Sequence, residues 1–185
     1  VDTVDKKFTF MSLDDALALE KAIDKNTKVL IMGAGLIGLK CAEGILDKVA
    51  SITVADIANR ILPSILDESA SEIVRAQLEE KGIKFILGSG VSAFSKNTAT
   101  LSDGKEVSFD VLVIASGVRP NTALISEAGG EVDRGIIIDE SSKTSLDDIY
   151  AAGDCAQGYD SSIDAKRILA LLPSAYMQGY CAGEN

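Results

Sequence analysis

An α/β fold organised around a parallel sheet is predicted by three features of the 185-residue chain. Short apolar runs at 28–32, 51–55, 83–87 and 111–115 read as strands buried on both faces. Amphipathic stretches over 36–48 and 68–81 lie between them, so strands and helices alternate along the chain. A glycine-rich turn joins the first run to the first intervening helix, giving strand, turn, helix and strand within about 30 residues.

The elements follow in order. The opening ten residues are mixed and read as peripheral. Ser12 then caps a helix through Ile23, with Asp14 and Asp15 in the first turn where the helix dipole favours acids. After the strand at 28–32, the helix over 36–48 sets Leu36, Leu39, Ala42 and Ile45 or Leu46 on one side. The next strand closes at Asp56. A loop through Pro63 leads to the helix over 68–81, with Ile73, Val74 and Leu78 inward and Gly82 as its stop. From 91 to 109 the pattern changes to short alternating segments around Ser102-Asp103-Gly104-Lys105, a hairpin signal. Beyond the strand at 111–115 and the loop at 116–121, a short helix spans about 122–128. Strand-like runs follow at 135–139 and 149–152, then a polar loop over 156–168 and a last helix starting near Pro173. The predicted architecture is a parallel sheet with helices on both faces, crossed by an antiparallel meander.

Composition narrows the chemistry. With 28 acids against 18 bases the formal net charge is −10, which argues against nucleic acid or an anionic membrane as a partner. No run approaches the ~20 apolar residues of a membrane span. Histidine is absent, which removes Ser-His-Asp and Cys-His catalysis and every His-dependent metal site. Cys41, Cys155 and Cys181 are far apart and form no Cys-x-x-Cys pair. They read as small buried hydrophobes in a reducing, cytoplasmic protein without a metal centre. No side chain qualifies as a catalytic acid or base, so any chemistry belongs to a bound cofactor.

The motif that carries chemistry is Gly33-Ala34-Gly35-Leu36-Ile37-Gly38, a G-x-G-x-x-G run. Glycine is common, so the weight lies in the context: an apolar strand before, an amphipathic helix after, and an acid ending the next strand. Gly33 permits the tight turn, Gly35 lets backbone approach a pyrophosphate, and Gly38 lets the helix pack closely on the strand. The helix N-terminus offers N–H groups and partial positive charge to phosphates. Asp56, 21 residues beyond Gly35, is placed to accept bonds from ribose hydroxyls and to repel a 2′-phosphate. The expected ligand is NAD, with NADH preferred over NADPH. Arg60 reads either as a phosphate contact or as the partner of a nearby acid.

In this order these residues resemble the pyridine nucleotide-disulfide oxidoreductase superfamily of FAD-dependent flavoproteins, from about Phe8 to Asn185. The resemblance rests on four blocks. They are Val29 to Glu43, Arg60-Ile-Leu-Pro63, Asp110 to Asn121, and Thr144-Ser145 through Ile149-Tyr-Ala-Ala-Gly153-Asp154. It implies that Ala115, Ser116 and Gly117 line the nucleotide, and that Gly153 and Asp154 are half of an FAD site whose aspartate bonds the ribitol. It also implies that Pro173 and Ala175 start a helix pointing near the flavin ring. The implied organisation is a lead-in over 1–26 from the FAD-domain side, an NAD(H)-binding domain over 27–121, and a returning partial FAD domain over 122–185. The family's first G-x-G-x-x-G and its redox-cysteine segment have no counterpart here. Lys40 stands where many disulfide-reducing members have glutamate, which leans the resemblance toward NADH oxidases, the nitrite reductase large subunit and rubredoxin-type reductases.

The intact parent is then expected to pass hydride from NADH to FAD and electrons on to a redox protein or a small-molecule acceptor, the isolated chain being inert. Two readings of other classes stand beside it. One is a non-catalytic dinucleotide-binding or sensing module, and the other a Rossmann fold holding the adenosyl part of another ligand.

Overall fold

In a parallel sheet buried on both faces every side chain meets protein, so uninterrupted apolar runs are its natural building material. A computed structural model describes residues 1–185 as two compact units, 1–117 and 118–185. The first contains β1 (Lys7–Thr9), α1 (Leu13–Ala22), β2 (Lys28–Met32), α2 (Leu36–Ile45), β3 (Ser51–Asp56), α3 (Glu68–Glu80), β4 (Ile83–Leu87), β5 (Val91–Ser95), β6 (Thr98–Leu101), β7 (Glu106–Ser108) and β8 (Val111–Ile114). Its main sheet is parallel throughout, in the order β1-β8-β2-β3-β4, and β5-β6-β7 form a separate antiparallel meander.

Strand alternation divides the sheet's side chains between two cores. Val29, Ile31, Ile52, Val54, Val111 and Val113 meet Leu19 of α1 and Leu39, Cys41, Ala42 and Ile45 of α2, with Val74 and Leu78 of α3 alongside. Leu30, Ala55 and Leu112 point the other way, toward Ala99 of β6 and Phe109. Thus α1, α2 and α3 share one face, and the meander occupies the layer where the sequence pattern places a second set of helices. The residues read as peripheral also contribute. β1 adds a parallel edge strand to β8, and Val4 is buried.

Two helical phases differ from expectation. The buried stripe of α2 runs Gly38, Leu39, Cys41, Ala42 and Ile45, which leaves Leu36 exposed. On α3 the inward positions are Ser71, Val74 and Leu78, while Ile73 is 64 % exposed. One residue is roughly 100° of helix, so Ile73 falls beside the stripe that its neighbour Val74 occupies.

The start of α1 shows how a short polar run fixes a helix end. Ser12 and Asp15 form a capping box, and the Asp15 carboxylate also accepts from the Met11 amide at 2.8 Å and the Thr9 hydroxyl at 2.9 Å. These donors, the Met11 N–H foremost and then Thr9, hold the Asp15 carboxyl below its ordinary range. Cys41 is fully buried, and burial pushes its thiol up to about 12. Cys155 and Cys181, expected buried, are only half-buried.

The second unit comprises α4 (Ala123–Glu127), β9 (Ile136–Ile137), β10 (Ala156–Asp160), β11 (Ala165–Arg167) and α5 (Leu172–Glu184). Here the expected loop over 156–168 is a hairpin, with β10 paired to β11 and, in parallel, to β9. Asp160 organises its turn by accepting from the Ser162 amide and hydroxyl. The strand expected at 149–152 is instead a tight return. The Thr144 amide donates to the Ile149 carbonyl, the Ala151 amide donates to the Ser142 carbonyl, and only Lys143 and Tyr150 form a bridge.

Two outcomes test this description. Leu30→Ala should lower unfolding stability by about 2–5 kcal/mol in urea titrations, because it opens a cavity beneath the meander. Ile73→Ala should stay within about 0.5 kcal/mol of the parent, as expected of an exposed side chain. The second outcome concerns pH. A depressed folded-state carboxyl contributes stability above its unfolded value of about 3.9 and loses it as pH falls through the folded value. Asp15→Asn should therefore remove part of the acid limb of the stability–pH curve while leaving the neutral-to-alkaline limb its shape.

Candidate functional site

Three strand ends meet at the carboxyl edge of the parallel sheet. The chain leaves β2 toward β3 and β4 on one side and returns as β8 on the other, so the order reverses between β2 and β8. Open α/β sheets bind ligands in the crevice outside such a reversal. Here it is lined by the turn Gly33–Gly38 after β2, by Asp56 at the end of β3, and by Ala115-Ser116-Gly117 after β8.

Backbone hydrogen bonds tie these ends together. The Gly33 amide donates to the Ala55 carbonyl at 2.8 Å, and the Ala115 amide to the Met32 carbonyl at 2.8 Å. Asp56 closes the arrangement: one carboxylate oxygen accepts from the Ala34 amide at 2.6 Å and the other from the Ala58 amide at 2.8 Å. An ionised carboxylate offers about four lone-pair sites. Two are taken, so each oxygen retains capacity for a further donor.

The glycines of the turn are not equivalent. Gly33 has φ +114°, and a Cβ there would fall on the Ala115 carbonyl. A Cβ on Gly38 would fall on the Gly33 carbonyl, so both are demanded by the chain's own packing. Gly35 has φ −79° and ψ −177°, a conformation open to any residue, and nothing lies within 4 Å of where its Cβ would stand. It is the N-cap of α2, and no side chain caps that helix. The first N–H groups of α2 lack intrahelical acceptors, as at any helix start, and they open outward over bare backbone. Leu36 and Ile37 flank this opening as exposed apolar residues. Ser116 and Gly117 are exposed beyond β8, and Gly117 has φ +102°.

Other residues singled out in the sequence have local partners. Arg60 turns inward on its own loop, its guanidinium donating to the Pro63 carbonyl at 3.0 Å and the Leu66 carbonyl at 3.4 Å. No acid pairs with it, and its Nε is buried without an acceptor. Lys40 is exposed and pairs with Glu43 at 2.9 Å. It borders an apolar pocket of about 260 Å³ with Leu36, Leu39, Leu62, Val74 and Leu78.

In the second unit, Gly153 has φ +81° and opens a 3₁₀ turn through Cys155, with Asp154 exposed within it. Pro173 lies in the first turn of α5, and Ala175 faces Gly153 at 3.7 Å from where a Cβ would stand. Thr144 and Ser145 build the preceding loop. Thr144 donates its hydroxyl to the Ile149 carbonyl at 2.9 Å, and Ser145 accepts from the Glu131 amide at 2.7 Å. Two glutamines escaped the sequence reading. Gln157 is buried and bridges the Gly135 amide to Asp133, while Gln178 on α5 accepts from the Gly153 amide. Neither belongs to a spacing pattern, so only the fold reveals them.

Known proteins are similar to this chain. The family model described as pyridine nucleotide-disulphide oxidoreductase matches residues 2–179. An NADH oxidase from Methanocaldococcus jannaschii is 35 % identical over 98 % of this chain and 42 % of its own length. A rubredoxin-NAD(+) reductase from Alcanivorax borkumensis is 35 % identical over 84 % of this chain and likewise 42 % of its own. Among solved structures, the water-forming NADH oxidase from Lactobacillus brevis bound to NADH superposes with a TM-score of 0.88. It is 25 % identical and covers 98 % of this chain and 41 % of that one. The chain thus spans less than half the length of these relatives. Since the family model covers nearly all of its residues, the chain belongs to the pyridine nucleotide-disulphide oxidoreductase family.

Proposed function

We propose that the first unit binds NAD(H) and that the longer protein of which this chain forms part is an FAD-dependent NADH:acceptor oxidoreductase. The observation that carries the reading is Gly35. The turn has no internal need for glycine there, so the bare backbone serves a group approaching from outside. A dinucleotide pyrophosphate is such a group. It lies over Gly33–Gly38 and takes hydrogen bonds from the uncapped N–H groups of α2, where the helix dipole adds to the attraction. Leu36, Ile37 and the Ala115-Ser116-Gly117 segment line the ligand on either side.

Asp56 supplies the polarity of recognition. Its remaining lone pairs accept from two ribose hydroxyls, and the same charge repels a 2′-phosphate, so NADH is the preferred form. Because the Ala34 amide already holds this carboxylate, the acid is in place before the ligand arrives. Arg60 acts by stiffening the loop after Asp56 through its two carbonyl bonds rather than by reaching a phosphate.

In the second unit, Gly153 and Asp154 fit one half of a flavin site, with Asp154 exposed for a ribitol hydroxyl and the start of α5 beside it. A flavin held there supplies hydride acceptance from the nicotinamide. The chain's own contribution is to bind and orient, since positioning of two cofactors is what protein side chains add to such a transfer. The relative named for rubredoxin suggests a redox protein as acceptor for the whole enzyme, with a small molecule as the other class. The isolated chain is expected to be catalytically inert and to retain no flavin on purification, so a visible flavin absorption band in the purified sample would count against the last point. No helix is long and apolar enough to cross a membrane.

Calorimetric titration with NADH and NADPH tests the site. The chain should favour NADH, and Asp56→Ala should weaken NADH binding by about tenfold to a hundredfold, the range for a hydrogen bond to a charged group, while abolishing the discrimination. Equal affinity for both forms in the parent would show that the carboxylate does not face the ribose. Gly35→Ala separates ligand from fold. Its stability should change by no more than about 1 kcal/mol, whereas NADH affinity should fall by at least about tenfold because a methyl group then stands in the phosphate path. Gly38→Ala should instead cost stability, about 1–3 kcal/mol or more, because its methyl meets backbone. Gly35→Ala with undiminished NADH binding would sink the pyrophosphate assignment.

A further inference from the structure

Gly153 and Asp154 owe their conformation to a residue 25 positions later. Gly153 lies in the left-handed region at φ +81°, where glycine is at ease and other residues are strained. The 3₁₀ turn it opens is short, with the Ala156 amide returning to the Gly153 carbonyl as its closing bond. A single such bond leaves the entry to the turn free to rotate, unless something holds the Gly153 N–H.

Gln178 holds it. Its Oε1 accepts from the Gly153 amide at 2.9 Å, in a half-buried setting. Its Nε2 lies 3.9 Å from where a Cβ of Gly158 would stand, so the side-chain amide sits between the turn and β10. Ala175, three residues earlier on the same helix face, also lies against Gly153. The N–H that Gln178 engages belongs to the peptide plane preceding the φ rotation that carries Asp154. Held at its start by Gln178 and at its end by the Ala156 amide, the turn offers the Asp154 backbone fewer directions than a free loop would.

We propose that Gln178 is a positioning residue for the flavin loop, holding Gly153 so that the Asp154 carboxylate is presented in one direction. The proposal rests on the reading of Asp154 as a ribitol-binding residue, and it adds the residue that makes α5 part of that site. Gln178 touches no reacting atom and acts only through the Gly153 amide. α5 has no fully buried residue, and the Gln178 bond joins the Ala175 contact in holding it to the turn.

The test uses the full ¹⁵N-labelled chain and two variants. Gln178→Met keeps the length of the side chain and removes the acceptor, while Gln178→Glu keeps an acceptor oxygen. Amide hydrogen exchange at Gly153 should be at least about tenfold faster in Gln178→Met and close to the parent in Gln178→Glu. Adding excess FAD should shift the Gly153 and Asp154 amide resonances in the parent and in Gln178→Glu. Half-maximal shift in Gln178→Met should require about tenfold more FAD. Unchanged Ile137 and Ile138 amides, whose bonds to the Glu131 and Gln157 carbonyls belong to the same unit, establish that each variant is folded. Should Gln178→Met not fold, Gln178→Asn serves in its place, since it keeps the amide chemistry but is one methylene too short. Parent-like exchange at Gly153 without the acceptor overturns the proposal, and so does faster exchange with unchanged FAD dependence. If FAD shifts nothing in the parent while the exchange contrast persists, the flavin reading of Asp154 falls, and the flavin role of Gln178 falls with it.

Discussion

The contact between the Asp56 carboxylate and the Ala34 amide, 2.6 Å long, is the constraint on which the rest of the first unit's site depends. It links the end of β3 to the turn after β2, and that turn is already wedged against β8 because Gly33 lies where a side chain would strike the Ala115 carbonyl. Three neighbouring strand ends are therefore locked to one another at backbone level. Such a lock tolerates few alternatives, since moving any one end breaks a bond or creates a clash at another. Preorganisation of that kind lowers the ordering cost of binding.

How much of this was legible in the sequence depended on which physical signal each element leaves. The strands β2 and β8 were plain because a strand buried on both faces needs an apolar run, and edge strand β4 was legible from Ile83 and Phe85-Ile86-Leu87 despite its exposed Lys84. The meander was legible from Asp103-Gly104, whose glycine takes φ +83° as a hairpin turn requires. The two helices were found, but Leu36 and Ile73 were turned inward. Periodicity gives the spacing of a stripe, whereas its phase depends on where the sheet lies beneath the helix. β10 and β11 were hidden because Ala156-Gln-Gly-Tyr-Asp160 buries a glutamine and exposes a tyrosine, against the usual hydropathy signal. Ile149 to Ala152 had the composition of a strand, but their backbone groups are spent on a local return to Ser142 and Thr144.

The candidate site was legible in part for the same reasons. The spacing of Gly33, Gly35, Gly38 and Asp56 could be read directly because all four stand at or just after strand ends, at fixed separations in one short stretch of chain. What spacing cannot tell apart is a glycine the fold requires from one that it does not. Gly33 and Gly38 meet backbone and Gly35 meets nothing, a difference that arises only when β8 has been laid beside β2. Arg60 is a related case. One line of sequence allows a phosphate contact or an ion pair, and the folded loop offers the guanidinium two carbonyls within reach. Gln178 left no trace at all in the sequence, since a glutamine in the second turn of a helix without buried residues has the composition of any surface position.

The proposed anionic dinucleotide on a chain of net charge −10 poses an apparent contradiction that distance resolves. At physiological ionic strength charges separated by more than about 8 Å are largely screened, so most of the acidic surface acts on the approach of the ligand rather than on the bound state. At contact the relevant field is local. The start of α2 carries about half a positive charge in its open N–H groups, and its first turn contains no acid to cancel it. The one carboxylate nearby, Asp56, has its oxygens engaged by the Ala34 and Ala58 amides. Part of its charge is thereby neutralised on the side of the turn, and in the proposed mode the rest faces ribose hydroxyls rather than phosphates. The general acidity of the chain and the local positive edge of its glycine turn thus act at different ranges. Net charge governs encounter and solubility, while the arrangement of a few backbone amides decides what can stay.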